Sequence, residues 1–491
     1  MLLLGIDVGT SSIKVSVVDA QQQKCLASAQ YPDTESAILS LQPGWAEQSP
    51  EMWWEHVQKA ILSAQSQKTF DPKDISAIGI AYQMHGLVLV DKDQNALRNS
   101  IIWCDSRAVE IGDKAFDALG HEFCLSHLLN SPGNFTASKL AWVKQNEPEI
   151  YQKIDKIMLP GDFIAMKLTG EVTTSPSALS EGIFYDFQCN RLSEEVVNYF
   201  GFDHSFFATV KPVFAQHGFL KDDIAQSLNL KAGIPVAYKA GDQPNNALSL
   251  NVLNPGEVAA TAGTSGVIYG VSDVLAYDKE SRVNTFAHVN HTAEQQRLGV
   301  LLCINGTGSL NRWTKTLFGA DTTYQQMNAE AKQIKPGCDG LRILPFGNGA
   351  ERMLNNKMVG VHFHNIDLNL HTRSHIFRAV QEGIAFAFRY GLDIMRSNGM
   401  NPTVIRAGMA NLFLSDLFTE AFVNATGVPV ELYKNDGSVG AALGAGIGCG
   451  LYTTPGEAFS NMERVRTVKP SGNGYEEIYA EWKGLLDKQL E

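Results

Sequence analysis

The sequence opens with two predicted strands joined by a tight turn, LLLGIDVGTSSIKVSVV (residues 2–18). The first part is apolar apart from Asp7, the centre is a Gly-Thr-Ser-Ser turn, and the last part alternates as a half-buried strand does. The same order of strand, Gly-Thr-Ser turn and strand recurs in GEVAATAGTSGVIYGV (residues 256–271). Two copies of one hairpin, one in each half of the chain, predict two domains of one architecture.

The boundary between the predicted domains lies near Gly241 and Asp242, which divides the chain into residues 1–245 and 246–491. No proline- or serine-rich linker separates the halves, so we expect them to pack closely. In the second half, the pattern predicts a long helix over 372–395 and a glycine-rich helix over 438–450.

Composition excludes several classes of protein. The 491 residues are 44% hydrophobic and 19% charged, which is ordinary for a globular chain of this size. The formal net charge of −12 argues against a nucleic-acid surface, because binding phosphate backbones needs clustered lysine and arginine. The seven cysteines are scattered without a C-x-x-C pair, which favours a reducing compartment over a disulfide framework or a zinc site.

Membrane and export signals are also missing from the pattern. The longest uncharged glycine-rich run, residues 439–452, is too short for a membrane helix. The N-terminal apolar run ends at Asp7 and has no basic region before it, which argues against a signal peptide. We therefore expect a cytoplasmic protein without nucleic-acid or membrane partners.

The two Gly-Thr-Ser turns, Gly9–Ser12 and Gly263–Gly266, are candidate phosphate sites. Backbone N–H groups and hydroxyls in such turns can surround an anion, and a pair of turns could hold different phosphates of one nucleotide. Ordinary hairpin turns have the same composition, so that alternative stays open. A P-loop is excluded, because no G-x-x-x-x-G-K-[ST] occurs.

Two aspartates stand in positions that suit chemistry. Asp7 lies in an apolar strand, where a carboxylate is costly unless it is paired or binds a cation such as Mg²⁺. Its alternative role is an edge-strand residue that bonds to the turn. Asp242 is a favoured residue type for a helix N-cap, and Pro244 would then fall in the first turn of that helix. A carboxylate there could also orient a substrate hydroxyl for phosphoryl transfer, where position matters most.

A sugar-binding interpretation applies to two further segments, Gln83–Gly86 and Trp103–Arg107. The first contains His85, and a lone histidine is more often structural than functional. The second would place Trp103, Asp105 and Arg107 on one face of an extended segment. There the carboxylate could accept hydrogen bonds from sugar hydroxyls while the ring packs on a C–H face. The alternative is a surface ion pair beside a packed tryptophan.

Taken together, these motifs resemble the FGGY carbohydrate kinases, and within them the xylulokinases, along nearly the whole chain. The stretches that carry the resemblance are GIDVGTS (5–11), PGWAEQ (43–48) with Trp53 and Trp54, QMHG (83–86), WCDSR (103–107), GNFTASKL (133–140), LPGDF (159–163), GD (241–242) and TAGTSG (261–266).

The resemblance implies an α/β fold with two ribonuclease-H-like domains of the actin/Hsp70/hexokinase superfamily around a central cleft. Residues 1–245 would be the N-terminal sugar-binding domain and residues 246–491 the C-terminal ATP-binding domain. The expected ligands are ATP, Mg²⁺ and a small-molecule sugar, and a homodimer is retained as the hypothesis for assembly.

The resemblance also implies roles for single residues. Asp242 would be the general base that takes a proton from the terminal hydroxyl of the sugar, and Asp7 and Asp242 would hold Mg²⁺. Met84, His85, Asp105 and Asp242 would contact the ketopentose. Expected nucleotide contacts come from both turns and from the segment 407–411, which stands where the family has its adenosine motif: Thr10, Ser11, Thr264, Ser265, Gly266, Gly408 and Asn411.

The sequence therefore predicts a xylulokinase that transfers the γ-phosphoryl group of MgATP to O5 of D-xylulose. Three alternatives stay open. The chain could be an FGGY kinase for ribulose, another ketose or glycerol, against which Met84 and His85 weigh. It could be a non-catalytic sugar- or nucleotide-sensing protein of the same fold, against which Asp7 and Asp242 weigh. It could also be an Hsp70- or actin-like ATPase.

Overall fold

The computed structural model describes residues 1–319, 321–472 and 474–491, and packing divides the chain into two compact units. Unit 1 comprises Met1–Leu253, Phe286–Leu298 and Asp436–Met462. Unit 2 comprises Asn254–Thr285, Gly299–Asn435 and Glu463–Glu491. A late segment of the chain therefore belongs to unit 1, and the division at residues 245 and 246 stays a prediction.

A six-stranded mixed sheet is at the centre of unit 1. Its strands in spatial order are Phe214–Phe219, Pro235–Gly241, Ile75–Tyr82, Leu2–Val8, Ile13–Asp19 and Lys24–Tyr31. The second, third and fourth of these run parallel to one another, whereas both flanks are antiparallel. The Leu2–Val8 strand is almost fully buried, which explains why it is apolar on both faces.

The opening hairpin has the predicted form. Leu2–Val8 pairs antiparallel with Ile13–Asp19 in a register that sets Asp7 opposite Lys14. The turn between them is closed by a hydrogen bond that the Gly9 N–H donates to the Ser12 carbonyl, 3.1 Å.

A seven-stranded sheet is at the centre of unit 2. Its strands in spatial order are Asn284–Ala287, Leu298–Ile304, Gly266–Ser272, Glu257–Ala262, Val404–Gly408, Val430–Tyr433 and Arg464–Val468. From the second Gly-Thr-Ser hairpin onward the pairings run antiparallel, parallel, parallel, antiparallel. The opening hairpin of unit 1 is followed by the same succession, so the predicted repeat of one α/β architecture is confirmed.

Helices cover both sheets, and local signals set where several of them begin. Ser49 caps Pro50–Ser66, and Thr372 caps Arg373–Ser397, as such residues do at helix starts. The helices of unit 1 are Pro50–Ser66, Val109–Leu119, His121–Phe123, Thr136–Asn146, Pro148–Tyr151, Pro160–Thr169, Pro176–Glu181, Glu194–Phe200, Asp222–Ser227, Asp242–Ser249 and Gly437–Gly448. Those of unit 2 are Gly308–Leu317, Tyr324–Ala331, Arg373–Ser397, Asp416–Thr426 and Tyr475–Leu490.

Shorter elements complete the architecture. Two-stranded pairs are Glu47–Gln48 with Ser100–Ile101, Val88–Val90 with Lys156–Met158, Thr173–Thr174 with Thr209–Val210, Tyr185–Asp186 with Arg191–Leu192, and Arg342–Phe346 with Gly360–His364. Among the described residues, we find no helix with both the length and the apolar character needed to cross a membrane.

The glycine-rich helix, Gly437–Gly448, packs backbone against backbone on the six-stranded sheet. A Cβ atom on Gly5 would overlap the carbonyl oxygen of Ser438, and a Cβ atom on Gly79 would overlap that of Ala441. Side chains at these two strand positions would therefore force the helix away from the sheet. The run of small residues in the sequence serves this close approach.

Replacing Gly5 with alanine tests that contact. Because the added methyl group meets backbone rather than a movable side chain, we expect a loss of roughly 3 kcal/mol or more in unfolding free energy. Gly456→Ala is the matched control in the same unit, since a Cβ atom there meets no neighbour. Urea unfolding of both variants measures the effect, and equal stabilities would contradict the proposed packing.

Candidate active site

Three neighbouring parallel strands of unit 1 end at one edge of the sheet. Val8 pairs with Tyr82, and Tyr82 pairs with Gly241. The segments that follow these residues are the first Gly-Thr-Ser turn, the loop Gln83–Gly86 and the helix Asp242–Ser249. Ligands of open α/β sheets bind outside the carboxyl ends of the strands, so this edge is the candidate site of unit 1.

Asp7 lies next to the end of the first strand and is partly buried. Burial, and then the negative charge of Asp436, raise the pKa of its carboxyl group to about 6, although Lys14 opposes both effects. A Cβ atom on Gly437 would lie 2.5 Å from Asp7 Oδ2. Glycine at 437 therefore lets the start of the glycine-rich helix approach this carboxylate.

Asp242 is the first residue of its helix, and Gly241 is the N-cap. The alternative role of Asp242 as N-cap is therefore wrong by one position, although its carboxylate still accepts a hydrogen bond from the Gln243 N–H at the helix start. Burial, and then the negative charge of Asp7, raise the pKa of Asp242 to about 7. Asp7 is thus close enough to influence the protonation of Asp242.

Asp7 and Asp242 fit the ligand chemistry of Mg²⁺. This ion takes one or two carboxylates and completes its shell with water and phosphate oxygens. A cation would also favour the ionised form of carboxyl groups whose pKa is raised by burial. Among the described residues, no cluster of three or more His, Cys, Asp or Glu side chains could hold a metal ion. The protein would therefore supply only part of the shell.

Met84 and His85 lie at the same edge of the sheet. A Cβ atom on Gly241 would be 2.5 Å from Met84 Cγ, so Met84 packs directly on the residue before Asp242. His85 has a left-handed backbone with φ of 62°, and Nζ of the buried Lys139 donates to its carbonyl, 2.8 Å. The structure therefore brings both predicted sugar residues to the start of the Asp242 helix.

Asp105 has a different environment. Its side chain is fully buried, accepts a hydrogen bond from the Ala46 N–H, 2.6 Å, and pairs with Arg107 at 2.7 Å. The guanidinium group of Arg107 stacks on Trp45, 3.8 Å from the ring centroid, while Trp103 is 53% exposed. The ion pair expected under the alternative interpretation is present, but it is buried. A sugar contact of Asp105 stays a prediction, and the bonds to Ala46 and Arg107 do not favour it because they already engage the carboxylate.

The first Gly-Thr-Ser turn is held by side chains of unit 1. Thr10 Oγ1 accepts from Trp103 Nε1, 3.0 Å, and donates to Gln83 Oε1, 3.2 Å. Gln48 donates to the Thr10 carbonyl, 2.8 Å. Ser11 is exposed. Of the two predicted phosphate contacts in this turn, the Ser11 hydroxyl faces solvent and the Thr10 hydroxyl is engaged within the protein.

The second Gly-Thr-Ser turn, in unit 2, is held mainly by backbone. The N–H groups of Gly308 and Ser309 donate to the carbonyls of Gly263 and Thr264, at 3.0 and 3.1 Å. Thr307 Oγ1 lies 3.2 Å from both of these carbonyl oxygens. The carbonyl groups of Gly263 and Thr264 are therefore bound within unit 2, while Thr264 itself is exposed.

Glu351 fixes the segment that holds this turn. Its fully buried carboxylate accepts hydrogen bonds from the N–H groups of Asn305 and Gly306, at 2.9 and 3.1 Å. Burial raises the pKa of Glu351 to about 7, and these two amides oppose that rise. The bonds place Thr307, the next residue, against the turn.

Beside the second turn lies a cavity of about 400 Å³ within unit 2, a size that suits a small-molecule ligand. Its lining includes Gly263, Thr264, Asn311, Arg312, Asn328 and Asn411. Thr264 and Asn411 are predicted nucleotide contacts. Ser265, Gly266 and Gly408 are not among the described lining residues, and a Cβ atom on Gly266 would lie 2.5 Å from Phe388 Cζ.

Sequence reasoning missed four side chains that shape these two sites: Lys139, Glu181, Thr307 and Glu351. A charged residue inside an apolar stretch was the signal that singled out Asp7, whereas Glu181 stands between Ser180 and Gly182, where a carboxylate carries no such signal. Glu351 was not among the predicted site residues. Thr307 carries no signal of its own, because its importance depends on distant chain segments.

Comparisons with known proteins identify the family of this chain. Profiles of the N- and C-terminal domains of the FGGY family of carbohydrate kinases match residues 2–249 and 258–449. The xylulose kinase of Escherichia coli (strain K12) is 29% identical over 448 residues, which cover 90% of this chain and 88% of the relative.

Solved structures show the same fold. The crystal structure of a xyloylose kinase from Brucella ovis has a TM-score of 0.89 and 27% identity, and the match covers 99% of both chains. A Plasmodium falciparum glycerol kinase with ADP has a TM-score of 0.90 at 20% identity, over 100% of this chain and 98% of that one. This second likeness shows the fold alone.

The predicted α/β class and the predicted kinase family are both confirmed. The two matched domains span most of the chain, and the fold agrees with that of solved members along its whole length. The chain belongs to the FGGY family of carbohydrate kinases and is an ATP-dependent carbohydrate kinase.

Proposed function

We propose that this kinase acts on D-xylulose and transfers the γ-phosphoryl group of MgATP to O5, giving D-xylulose 5-phosphate and ADP. The curated Escherichia coli relative with this activity in its name supports the choice of sugar. The main support for the proposal is that Asp242, Met84 and His85 lie at one edge of the unit 1 sheet.

Asp242 is the proposed general base. The proton of the sugar hydroxyl moves from O5 to a carboxylate oxygen of Asp242, while O5 bonds to the γ-phosphorus. The bond between that phosphorus and the β–γ bridging oxygen breaks, and ADP leaves. A carboxylate whose pKa is raised to about 7 by burial and by Asp7 is a stronger base than an ordinary aspartate.

Asp7 and Asp242 are the proposed ligands of Mg²⁺, which, when bound, neutralises charge on the transferring phosphoryl group. The remaining roles concern the nucleotide, for which we propose Thr264, Asn411 and the cavity beside the second turn. Ser11 is the proposed phosphate contact in the first turn. A cytoplasmic location and a homodimer complete the proposal, and sedimentation velocity of the purified chain checks the dimer.

Removing the base should stop transfer while sparing ATP binding. Asp242→Asn keeps size and shape but cannot accept the proton, so we expect sugar-dependent ADP release to fall about 10²- to 10⁴-fold. Asp222→Asn is the matched control, because Asp222 is also a first helical residue but is exposed. Near-normal turnover of Asp242→Asn in a coupled ADP assay would rule out the base assignment.

A sugar panel decides the substrate. We expect kcat/KM for D-xylulose to exceed that for D-ribulose, glycerol and gluconate by about tenfold or more, since misplaced hydroxyls leave polar groups of the site unpaired. Coupled ADP release measures every sugar under the same conditions. A higher value for another sugar would transfer the proposal to that substrate. Sugar binding without any phosphorylation would instead indicate a sensing protein.

Glu351→Ala tests how the second turn is held. Without the carboxylate, the Asn305 and Gly306 amides lose their buried acceptor and Thr307 loses its fixed position. We expect KM for ATP to rise about tenfold, which corresponds to roughly one lost hydrogen bond, with little change in KM for sugar. Glu463→Ala, an exposed glutamate of the same unit, is the control. An unchanged KM for ATP would refute the positioning role.

A further inference from the structure

Glu181 is a buried carboxyl group at the edge of the unit 1 sheet. It is the last residue of the helix Pro176–Glu181 and is 1% exposed. Its Oε1 accepts a hydrogen bond from the Tyr82 hydroxyl, 2.7 Å. Its Oε2 has no hydrogen-bond partner among the described residues. A buried oxygen without a partner lowers the stability of the fold.

The side chain of Glu181 contacts the ends of two neighbouring strands. Tyr82 ends the strand from which the Met84–His85 loop departs, and Gly241 ends the strand that leads into Asp242. Oε2 lies 3.2 Å from the position of a Cβ atom on Gly241. The carboxyl group therefore spans the place where the proposed sugar residues and the proposed base leave the sheet.

His85 faces the same residue. Its Nδ1 lies 3.0 Å from the carbonyl oxygen of Glu181 and 3.9 Å from Oε2. The rings of Phe135 and Phe286 pack against the imidazole, with centroids 4.8 and 5.3 Å away. The main chain of Glu181 thus orients the ring, and Oε2 is the next polar atom beside Nδ1.

The charges around Glu181 favour its neutral form. Burial, and then the negative charges of Asp242 and Asp162, raise its pKa well above the usual value, while the Tyr82 hydroxyl and the His85 segment oppose that rise. Lys239 pairs with Asp162 at 2.5 Å.

We propose that Glu181 is a positioning residue of the sugar site, which holds the Met84–His85 loop in register with Asp242. This role rests on the proposed use of Met84, His85 and Asp242 for the sugar. Glu181 touches no reacting atom in this assignment. Glu181 would act on catalysis through the Met84–His85 loop and through the Gly241 peptide. Its replacement should therefore weaken binding of the sugar and leave binding of the nucleotide unchanged.

Two substitutions separate positioning from stability. Glu181→Met fills a similar volume but leaves the buried Tyr82 hydroxyl without its acceptor, so its melting temperature is measured first to show that the variant is folded. We expect its KM for sugar to rise about tenfold, the effect of roughly one lost hydrogen bond, with KM for ATP within about twofold. Glu181→Gln keeps an acceptor for Tyr82 and should stay within about threefold of the parent protein.

Glu382→Gln is the matched control. Glu382 is as deeply buried as Glu181 but lies in unit 2, where it pairs with Arg378 at 2.6 Å. We expect the control to lower the melting temperature without changing KM for sugar. A folded Glu181→Met protein with the parent KM for sugar would overturn the proposal. Equal rises in KM for sugar and ATP would overturn it as well.

A second measurement keeps this test independent of the proposed substrate. Calorimetry without ATP measures binding of whichever panel sugar the parent protein binds best, and ¹⁵N NMR of the imidazole reports the environment of His85. Weaker sugar binding and a shifted His85 signal in Glu181→Met, absent in Glu382→Gln, support the role of Glu181 even where D-xylulose is not the substrate. Unchanged binding and an unchanged His85 signal refute it.

Discussion

The contact between the glycine-rich helix and the parallel strands of unit 1 is the constraint on which the site depends. Gly5 and Gly79 let the carbonyl groups of the helix reach the sheet itself, where any side chain would overlap them. This approach brings the start of the helix, with Asp436 and Gly437, against Asp7. A segment late in the sequence therefore completes the environment of a residue in the first strand.

Burial and like charge give the edge of the unit 1 sheet two properties, an affinity for a cation and a readiness to accept a proton. Burial and like charge raise the pKa values of Asp7 and Asp242 together. Such a pair gains from a nearby cation and, at the same time, accepts a proton more readily than exposed aspartates do. Lys14 opposes this rise at Asp7 only in part, and it also pairs with Asp436.

Local signals in the sequence predicted the hairpins, the long helix over 372–395 and the unusual position of Asp7. Each of these depends on residues close in the chain, where turn chemistry and periodicity act. The start of the Asp242 helix was displaced by one residue, because glycine serves as N-cap almost as well as aspartate does. Glu181 depends on Tyr82 and Gly241, which come together only through strand pairing, so no local pattern reveals its role.

The two Gly-Thr-Ser turns show how far such a motif determines function. Both connect two antiparallel strands, yet the carbonyl of Thr10 is bound by a glutamine side chain, and those of Gly263 and Thr264 are bound by the backbone at Gly308 and Ser309. Whether the N–H groups of a turn converge on an anion depends on its backbone conformation, which these partners help to hold. The motif therefore specifies the turn, whereas its affinity for phosphate depends on partners that the motif does not contain.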